Sequence, residues 1–189
     1  MPVVVQNIQT LRIPDVKVLS IRRFSDERGF FSETYRRDQL AEAGITTEFV
    51  QDNQSFSERA FTLRGLHLQA PPYAQAKLVR VTRGSLLDVC VDVRRGSPYF
   101  GQWVSAEISA EKWNQIYIPV GFLHGFITLT PQTEVHYKVS AHYHRESEQG
   151  VRWNDPDLKI DWGFSGAPGL SPKDADLPAF RDFPSPFIY

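Results

Sequence analysis

The chain has 189 residues and a formal net charge of −1, which suits a sizeable core and gives no reason to expect nucleic-acid binding. No apolar run approaches the ~18 residues of a membrane-spanning helix, and the start MPVVVQNIQT does not resemble a signal peptide. The one cysteine, Cys90, cannot form an internal disulfide and is interpreted as a small core residue. These features predict a soluble, cytoplasmic protein that does not associate with membranes.

The first part of the chain predicts two strands and one helix. Residues 1–25 alternate weakly between apolar and polar, which indicates one or two strands, the first of them at a sheet edge. The run Asp26 to Gly29 (DERG) is a turn signal. Residues 37–44 (RDQLAEAG) predict a short surface helix that Asp38 caps and Gly44 ends.

From residue 48 onward the pattern is that of an all-β fold. Turn signals recur roughly every eight to twelve residues, the spacing of a sandwich or barrel. The predicted strands are 48–57, 62–69, 76–84, 85–98, 101–109, 114–121, 125–130 and 134–143. No domain boundary is evident, so we expect residues 1–189 to form one domain with N-terminal strands and an irregular C-terminal tail from Gly163.

Three strand residues have side chains suited to acid–base chemistry. Period-two counting places His67, Lys77 and Tyr137 on strand faces that can point inward. An imidazole can take a proton near pH 7, an ammonium can stabilise an oxyanion, and a phenol can donate a proton. Each also has a purely structural interpretation, namely a satisfied histidine, an exposed strand end and a packing tyrosine.

The stretch between His67 and Lys77 raises two structural expectations. The turn built on Pro71 and Pro72 is expected to set these two residues side by side on neighbouring strands. Arg64 has the wrong parity for the inward face. It needs a β-bulge to point inward, and Gly65 is a plausible site for one.

A metal site is not expected. His124 lies in PVGFLHG, which matches the second half of the cupin metal motif. The first half requires His-x-His and a following Glu, whereas the chain reads His67-Leu68-Gln69, and two histidines are too few for a metal that needs about three or four ligands. The alternating pair His142 and His144 is interpreted as solvent-exposed at the end of a strand.

Several polar residues are weak signals singly but together suit a phosphorylated ligand, because arginine makes forked bonds to phosphate oxygens. They are Arg28, Glu33, Gln51, Asn53, Arg64 and Lys173. The chain has neither a Gly-rich phosphate loop nor a dinucleotide fingerprint, which argues against a nicotinamide-dependent enzyme.

Motifs of one known family run in order through about residues 10–180. The clearest stretches are DERGFFSE (26–33), FVQDN (49–53), LRGLHLQ (63–69), AQAKLVRV (74–81), IPVGFLHGF (118–126) and LSPKDA (170–175). On these residues the chain resembles the dTDP-4-dehydrorhamnose 3,5-epimerase family. The departures from the usual motifs are Gln54 and His136, beside the pocket residues.

The resemblance implies an all-β, metal-free cupin jelly roll (a double-stranded β-helix) with short peripheral helices. It implies a homodimer in which N-terminal strands are exchanged. The implied reaction is cofactor-independent epimerisation at C3 and C5 of dTDP-4-dehydro-6-deoxy-D-glucose, through an enolate, to dTDP-4-dehydro-L-rhamnose.

The resemblance also implies the roles of individual residues. His67 is the base, Asp174 orients it, Tyr137 is the acid on the opposite face, and Lys77 stabilises the enolate at O4. Ligand-contacting positions, some contributed by a partner subunit, are Arg28, Glu33, Gln51, Asn53, Arg64, His124, Glu148 and Lys173.

Three alternatives stay open on the sequence alone. A single-carbon epimerase of a related keto sugar would use the same histidine, lysine and tyrosine. A metal-dependent cupin oxygenase would bind a metal through His67 and His124. A nucleotide-sugar-binding protein would keep the pocket without catalysis.

Overall fold

The computed structural model describes residues 5–189, which form two β-sheets packed face to face with two short helices at the periphery. The strands are β1 (Val5–Thr10), β2 (Lys17–Ile21), β3 (Phe24–Asp26), β4 (Gly29–Phe31), β5 (Gln51–Ser57), β6 (Leu63–Gln69), β7 (Lys77–Arg83), β8 (Ser85–Asp92), β9 (Trp103–Ser109), β10 (Asn114–Ile118), β11 (Phe122–Thr128), β12 (Thr133–Val139) and β13 (Glu148–Gly150). The helices are α1 (Arg37–Glu42) and α2 (Pro172–Ala175), with 3₁₀ turns at Arg145–Ser147 and Phe180–Asp182. This is the predicted all-β jelly roll.

The strand order places His67 in one sheet and both Lys77 and Tyr137 in the other. The first sheet has the order β1-β2-β10-β7-β12-β5, and the second has the order β13-β6-β11-β8-β9. All pairs between these strands are antiparallel. The strand β1 lies at a sheet edge as predicted, and residues 3 and 4 of the predicted first strand fall outside the described residues.

Apolar side chains pack in three layers. The inner layer lies between the sheets and includes Val79, Val81, Ile116, Phe122 and Phe126. A second layer covers the outer face of the second sheet with residues of the C-terminal segment, and a third packs α1 on the outer face of the first sheet. The tail from Gly163 is mostly irregular in secondary structure. It packs on the second sheet.

The first helix differs from the sequence expectation at its N-terminus and agrees with it at its C-terminus. The residue before it, Arg36, is extended and makes no capping hydrogen bond from its side chain, so the prediction that Asp38 caps the helix is wrong. Asp38 lies in the first turn, where it suits the positive end of the helix, and it pairs with Arg36. Gly44 follows the helix with φ +76°, and Ile45 N donates to Leu40 O at 2.8 Å, which closes the helix as expected.

The turn at Pro71 and Pro72 does not set His67 and Lys77 side by side. It carries the chain from β6 in the second sheet to β7 in the first. His67 and Lys77 therefore approach the same space from opposite sheets. The expectation of neighbouring strands is wrong because the connection crosses between the layers instead of closing a hairpin.

A β-bulge at Gly65 brings Arg64 to the inner face. His67 pairs with His124 and Arg64 pairs with Phe126, so two residues of β6 between these pairs oppose one residue of β11. Gly65 has φ +115°, and a Cβ there would meet Gly125 Cα at 2.6 Å and His124 O at 2.7 Å. The predicted bulge is confirmed, and glycine is required both by its conformation and by the close approach of β11.

The last predicted strand, 134–143, ends early. The observed β12 stops at Val139, and His142, Tyr143 and His144 lie in the loop that follows. His142 is exposed as expected, but His144 is half-buried and stacks on Tyr73 with ring centroids 4.0 Å apart. Neither helix within residues 5–189 has the length and apolar character needed to cross a membrane.

Gly65→Ala is expected to destabilise the protein by several kcal/mol, because the new Cβ would overlap backbone atoms of β11. The matched control is Gly96→Ala, where φ is also positive (+87°) but nothing lies within 4 Å of the new Cβ. That control should cost only about 1–2 kcal/mol of backbone strain. Urea unfolding of both variants measures the difference, and equal destabilisation would contradict the close-approach argument.

Candidate active site

The predicted catalytic residues meet in a cavity between the sheets. One lobe, of about 270 Å³, is lined by His67, Lys77, Tyr137, Asp174 and their neighbours, and we call it the dyad lobe. An adjoining lobe of about 320 Å³ shares His67, Lys77 and Tyr137 and adds the side chains that define it as the polar lobe. Those side chains are Gln51, Asn53, Gln69, Gln75, Tyr143 and Glu148.

His67 and Asp174 are in contact on the wall made by the second sheet. The distance from His67 Nε2 to Asp174 Oδ1 is 2.6 Å, although the oxygen lies off the ideal line of a ring N–H bond. Burial opposes ionisation of Asp174, yet the contact with His67 keeps the pKa of that carboxyl below its ordinary value. The carboxylate therefore fixes the ring and leaves Nδ1 as the basic nitrogen.

The position of Asp174 depends on a helix of four residues. Ser171 Oγ accepts the Asp174 backbone N–H at 3.1 Å, which caps α2, and Pro172 occupies its first turn. So short a helix has little stability of its own. Packing of the surrounding segment on the second sheet holds it in place.

Lys77 projects from the first sheet and is half-buried. Its Nζ lies 3.4 Å from His124 Nδ1, and the other nitrogen of His124, Nε2, lies 2.9 Å from Asp88 Oδ2. Burial lowers the pKa of Lys77, and the negative charge of Asp88 opposes that shift. Burial likewise lowers the pKa of His124, so its ring is neutral at pH 7.

Tyr137 lies on β12, next to β7, and lines both lobes. It projects from the first sheet, so it faces the cavity from the wall opposite His67. Burial raises the pKa of the Tyr137 phenol. The hydroxyl therefore stays protonated at neutral pH and is able to donate a proton.

The polar lobe contains predicted ligand positions from two elements, β5 and β13. Gln51 and Asn53 alternate along β5, and Gln51 Nε2 donates to Asn53 Oδ1 at 2.8 Å. Glu148 accepts from Tyr143 Oη at 2.8 Å and forms an ion pair with Lys173. Burial opposes ionisation of Glu148, but Lys173 and Tyr143 together hold its pKa below the ordinary value.

Arg64 lines the dyad lobe, and its Nη2 donates to Phe56 O at 3.2 Å. Arg28 and Glu33 line neither lobe. Arg28 is exposed on the β3–β4 turn, where it pairs with Asp26, and Glu33 pairs with Arg36 at 3.5 Å. Ten of the twelve predicted site residues thus line the lobes, and two lie elsewhere in the chain.

The donor set of the cavity does not fit a metal ion. His67 and His124 are cross-strand partners, as the motif led us to expect. Their ring nitrogens, however, face Asp174, Asp88 and Lys77. No group of three or more His, Cys, Asp or Glu side chains with metal-binding placement occurs within residues 5–189.

A separate cavity of about 480 Å³, larger than either lobe, lies on the outer face of the first sheet. It is lined by Arg80, Asp52 and Lys138, which alternate with the inward-facing residues of the same strands. It contains neither His67 nor Lys77. Cavity size therefore does not identify the candidate active site, whereas the acid–base groups with shifted pKa values do.

Sequence reasoning missed three residues that shape the site. Asp88 is fully buried in the middle of the apolar strand β8, and an acid in such a run was the available signal. Gln69 entered the sequence analysis only as a departure from the metal motif. Its amide bonds to Tyr73 O, His142 O and His144 N join the loops on either side of the polar lobe. Tyr143 gave no signal, because it lies in a loop without periodicity.

The pH dependence of stability should report the ionisation of Asp174. Its pKa is lower in the folded than in the unfolded chain, so it stabilises the fold above roughly pH 4 and loses that effect as the pH falls through the lowered value. The stability difference between wild type and Asp174→Asn should therefore shrink on acidification. Urea unfolding between pH 3 and pH 7 measures it, and the exposed Asp176→Asn is the control. A difference that grows toward acid pH would contradict the assignment.

Comparison with known proteins finds close relatives along almost the whole chain. A family model described as dTDP-4-dehydrorhamnose 3,5-epimerase matches residues 10–182. A dTDP-4-dehydrorhamnose 3,5-epimerase of Pseudomonas aeruginosa is 51% identical over 173 residues, which cover 91% of this chain and 94% of that protein.

Solved structures agree in fold. A dTDP-6-deoxy-D-glucose-3,5-epimerase of Legionella pneumophila, in complex with dTDP-4-keto-L-rhamnose, has a TM-score of 0.92 at 42% identity and covers 97% of this chain and 98% of its own. A dTDP-4-dehydrorhamnose 3,5-epimerase of Bacillus anthracis, with TDP and PPi bound, has a TM-score of 0.89 at 45% identity and covers 92% and 99%. The chain belongs to the dTDP-4-dehydrorhamnose 3,5-epimerase family.

Proposed function

We propose that this protein inverts both C3 and C5 of dTDP-4-dehydro-6-deoxy-D-glucose and yields dTDP-4-dehydro-L-rhamnose. The observation that carries the proposal is that His67 and Tyr137 enter one cavity from opposite sheets. Inversion requires that a proton leave one face of a carbon and return to the other. A base and an acid on opposite walls meet that requirement.

The substrate supplies its own electron sink. The C4 ketone acidifies the C–H bonds at both C3 and C5, so one base can act at either carbon and the same enolate oxygen is formed. In the proposed mechanism the ammonium of Lys77 stabilises that oxygen in a site sheltered from water. The chemistry on this chain then needs only proton transfers, with no cofactor.

In the proposed mechanism His67 abstracts the proton through Nδ1, because its Nε2 faces Asp174. The resulting imidazolium is stabilised by the Asp174 carboxylate, as in other carboxylate–histidine pairs. The raised pKa of Tyr137 keeps its proton available for the opposite face of the enolate. The polar lobe beside them suits the nucleotide part of the substrate, with Gln51 and Asn53 as ligand contacts, and Arg64 and Lys173 are further ligand contacts in the dyad lobe.

We propose further that the active unit is a homodimer with exchanged N-terminal strands. Phe30 and Phe31 on the β3–β4 hairpin are 51% and 65% exposed, which is unusual for adjacent phenylalanines. The same hairpin carries Arg28, and Glu33 follows it, and both are remote from the cavity of their own chain. A partner subunit's cavity accounts for the exposed rings and for both charged residues.

The remaining proposals concern organisation and compartment. We propose that residues 1–189 act as one domain, which packing of the C-terminal segment on the second sheet supports. We propose a cytoplasmic location, which is supported by a buried, unpaired Cys90.

The reaction is tested by incubating the protein with dTDP-4-dehydro-6-deoxy-D-glucose and a 4-reductase in deuterated water, with NMR analysis of the product. We expect deuterium at both C3 and C5 because one ketone activates both positions. Deuterium at one carbon only would favour a single-carbon epimerase. His67→Ala should lower turnover at least about 10³-fold, since it removes the base.

Two further variants sharpen the result. His67→Ala should keep dTDP binding within about threefold, because the base acts on the sugar and not on the nucleotide. The exposed His142→Ala is the control and should match wild type.

Tyr137→Phe should retain some proton exchange while blocking net inversion. Full turnover by His67→Ala would contradict the assignment of the base.

Complementation tests the partner's contribution. Mixed dimers of His67→Ala and Arg28→Ala chains should regain activity, because one of their two cavities combines an intact His67 with an intact Arg28 from the other chain. Random re-association after unfolding should restore about a quarter of wild-type turnover. Light scattering checks the dimer, and failure of the mixture to exceed either parent would contradict contribution across subunits.

A further inference from the structure

Asp88 is a fully buried carboxylate with an unusual set of neighbours. It lies on β8 with 0% exposure, accepts from His124 Nε2 at 2.9 Å, and has Cys90 Sγ 3.6 Å from its other oxygen. It makes no direct ion pair with Lys or Arg within residues 5–189. The nearest group that can balance its charge is Lys77, on the far side of the His124 ring.

These contacts determine which ring nitrogen of His124 carries the proton. Because the Asp88 carboxylate can only accept, Nε2 of His124 must carry the hydrogen. The neutral ring then presents a bare Nδ1, which accepts a hydrogen bond from the Lys77 ammonium at 3.4 Å. One of the three ammonium hydrogens is thereby directed to His124, and the remaining two are available to the cavity.

We propose that Asp88 is a positioning residue for the epimerisation, which acts through the neutral ring of His124 to orient Lys77 toward the reacting ketone. This inference rests on the proposed function, since it assigns Lys77 to the enolate oxygen. It also makes His124 a relay between Asp88 and Lys77, because both of its ring nitrogens have partners inside the protein.

The effect of Asp88 on the pKa of Lys77 supports the proposed role of Asp88. Burial lowers the pKa of Lys77, and Asp88 is the strongest of the groups that raise it again. A lysine that lost its proton would no longer stabilise an enolate. The other titratable groups facing Lys77 are Cys90 on β8, His124 on β11, Glu148 on β13, and His67 and Tyr137, which line the same cavity.

A purely structural role would not require a charge. Asparagine or serine at position 88 could accept from His124 Nε2 without the cost of burying a carboxylate. Asp92, four residues along the same strand, has the same 0% exposure but bonds Arg94 Nη2 at 2.6 Å and Ser97 Oγ at 2.6 Å, away from the cavity. It is therefore a matched control for losing a buried carboxylate from β8.

The kinetic test compares Asp88→Asn with Asp92→Asn. For Asp88→Asn we expect kcat to fall about 10- to 100-fold, less than the ~10²–10³-fold loss typical of removing an oxyanion donor itself, with KM changed by less than about threefold. Removing the negative charge should lower the pKa of Lys77, so the basic limb of the kcat–pH profile should move to lower pH. Asp92→Asn should lose stability but keep its kcat and its pH profile.

The tautomer test uses the wild-type protein and needs no variant to fold. Nitrogen-15 NMR of histidine-labelled protein should show His124 protonated on Nε2 and bare on Nδ1. In Asp88→Asn the amide oxygen can still accept from Nε2, so the same tautomer should persist and the variant should report the loss of the negative charge.

Each outcome decides the proposal. A wild-type His124 protonated on Nδ1 overturns it, as does an Asp88→Asn protein whose kcat and pH profile match those of Asp92→Asn. Wild-type protein that fails to epimerise the sugar nucleotide overturns the proposed function and this inference together. Epimerising wild type with an unaffected Asp88→Asn overturns this inference alone.

Discussion

The partial burial of a lysine ammonium between two sheets is the constraint on which the site depends. An ammonium in such a place loses water and is stable only if a negative charge and hydrogen-bond acceptors compensate it. Lys77 meets Asp88 across the ring of His124, and this series of contacts joins β7 of the first sheet to β11 and β8 of the second. The polar contacts that compensate the charge therefore also connect the two walls of the cavity.

The division of residues between the walls presents different groups to the two faces of a bound substrate. The second sheet presents His67, backed by Asp174, and the first sheet presents Tyr137 and Lys77. In the proposed mechanism a flat enolate held between them meets a base on one side and an acid on the other. Two carbons flanking one ketone can use the same arrangement in turn, so double inversion requires no second set of catalytic residues.

Period-two alternation and one glycine were sufficient to predict much of this site. They placed His67, Lys77 and Tyr137 inward and located the bulge that turns Arg64 to the cavity. Alternation within a strand carries no information on which sheet the strand joins, so the crossing at Pro71 and Pro72 was misjudged. The role of Asp88 depends on contacts between strands distant in sequence. Arg28 and Glu33, which the family resemblance implied as ligand contacts, line neither lobe of the cavity in this chain.

The catalytic pair also depends on the end of the chain. Asp174 lies on a helix of four residues, which cannot persist alone, and it reaches His67 only because the segment around it covers the outer face of the second sheet. Gln69, two residues after His67, bonds the loops that carry Tyr73 and His144. The position of His67 therefore depends on contact with the C-terminal segment and on the loops that Gln69 joins beside it.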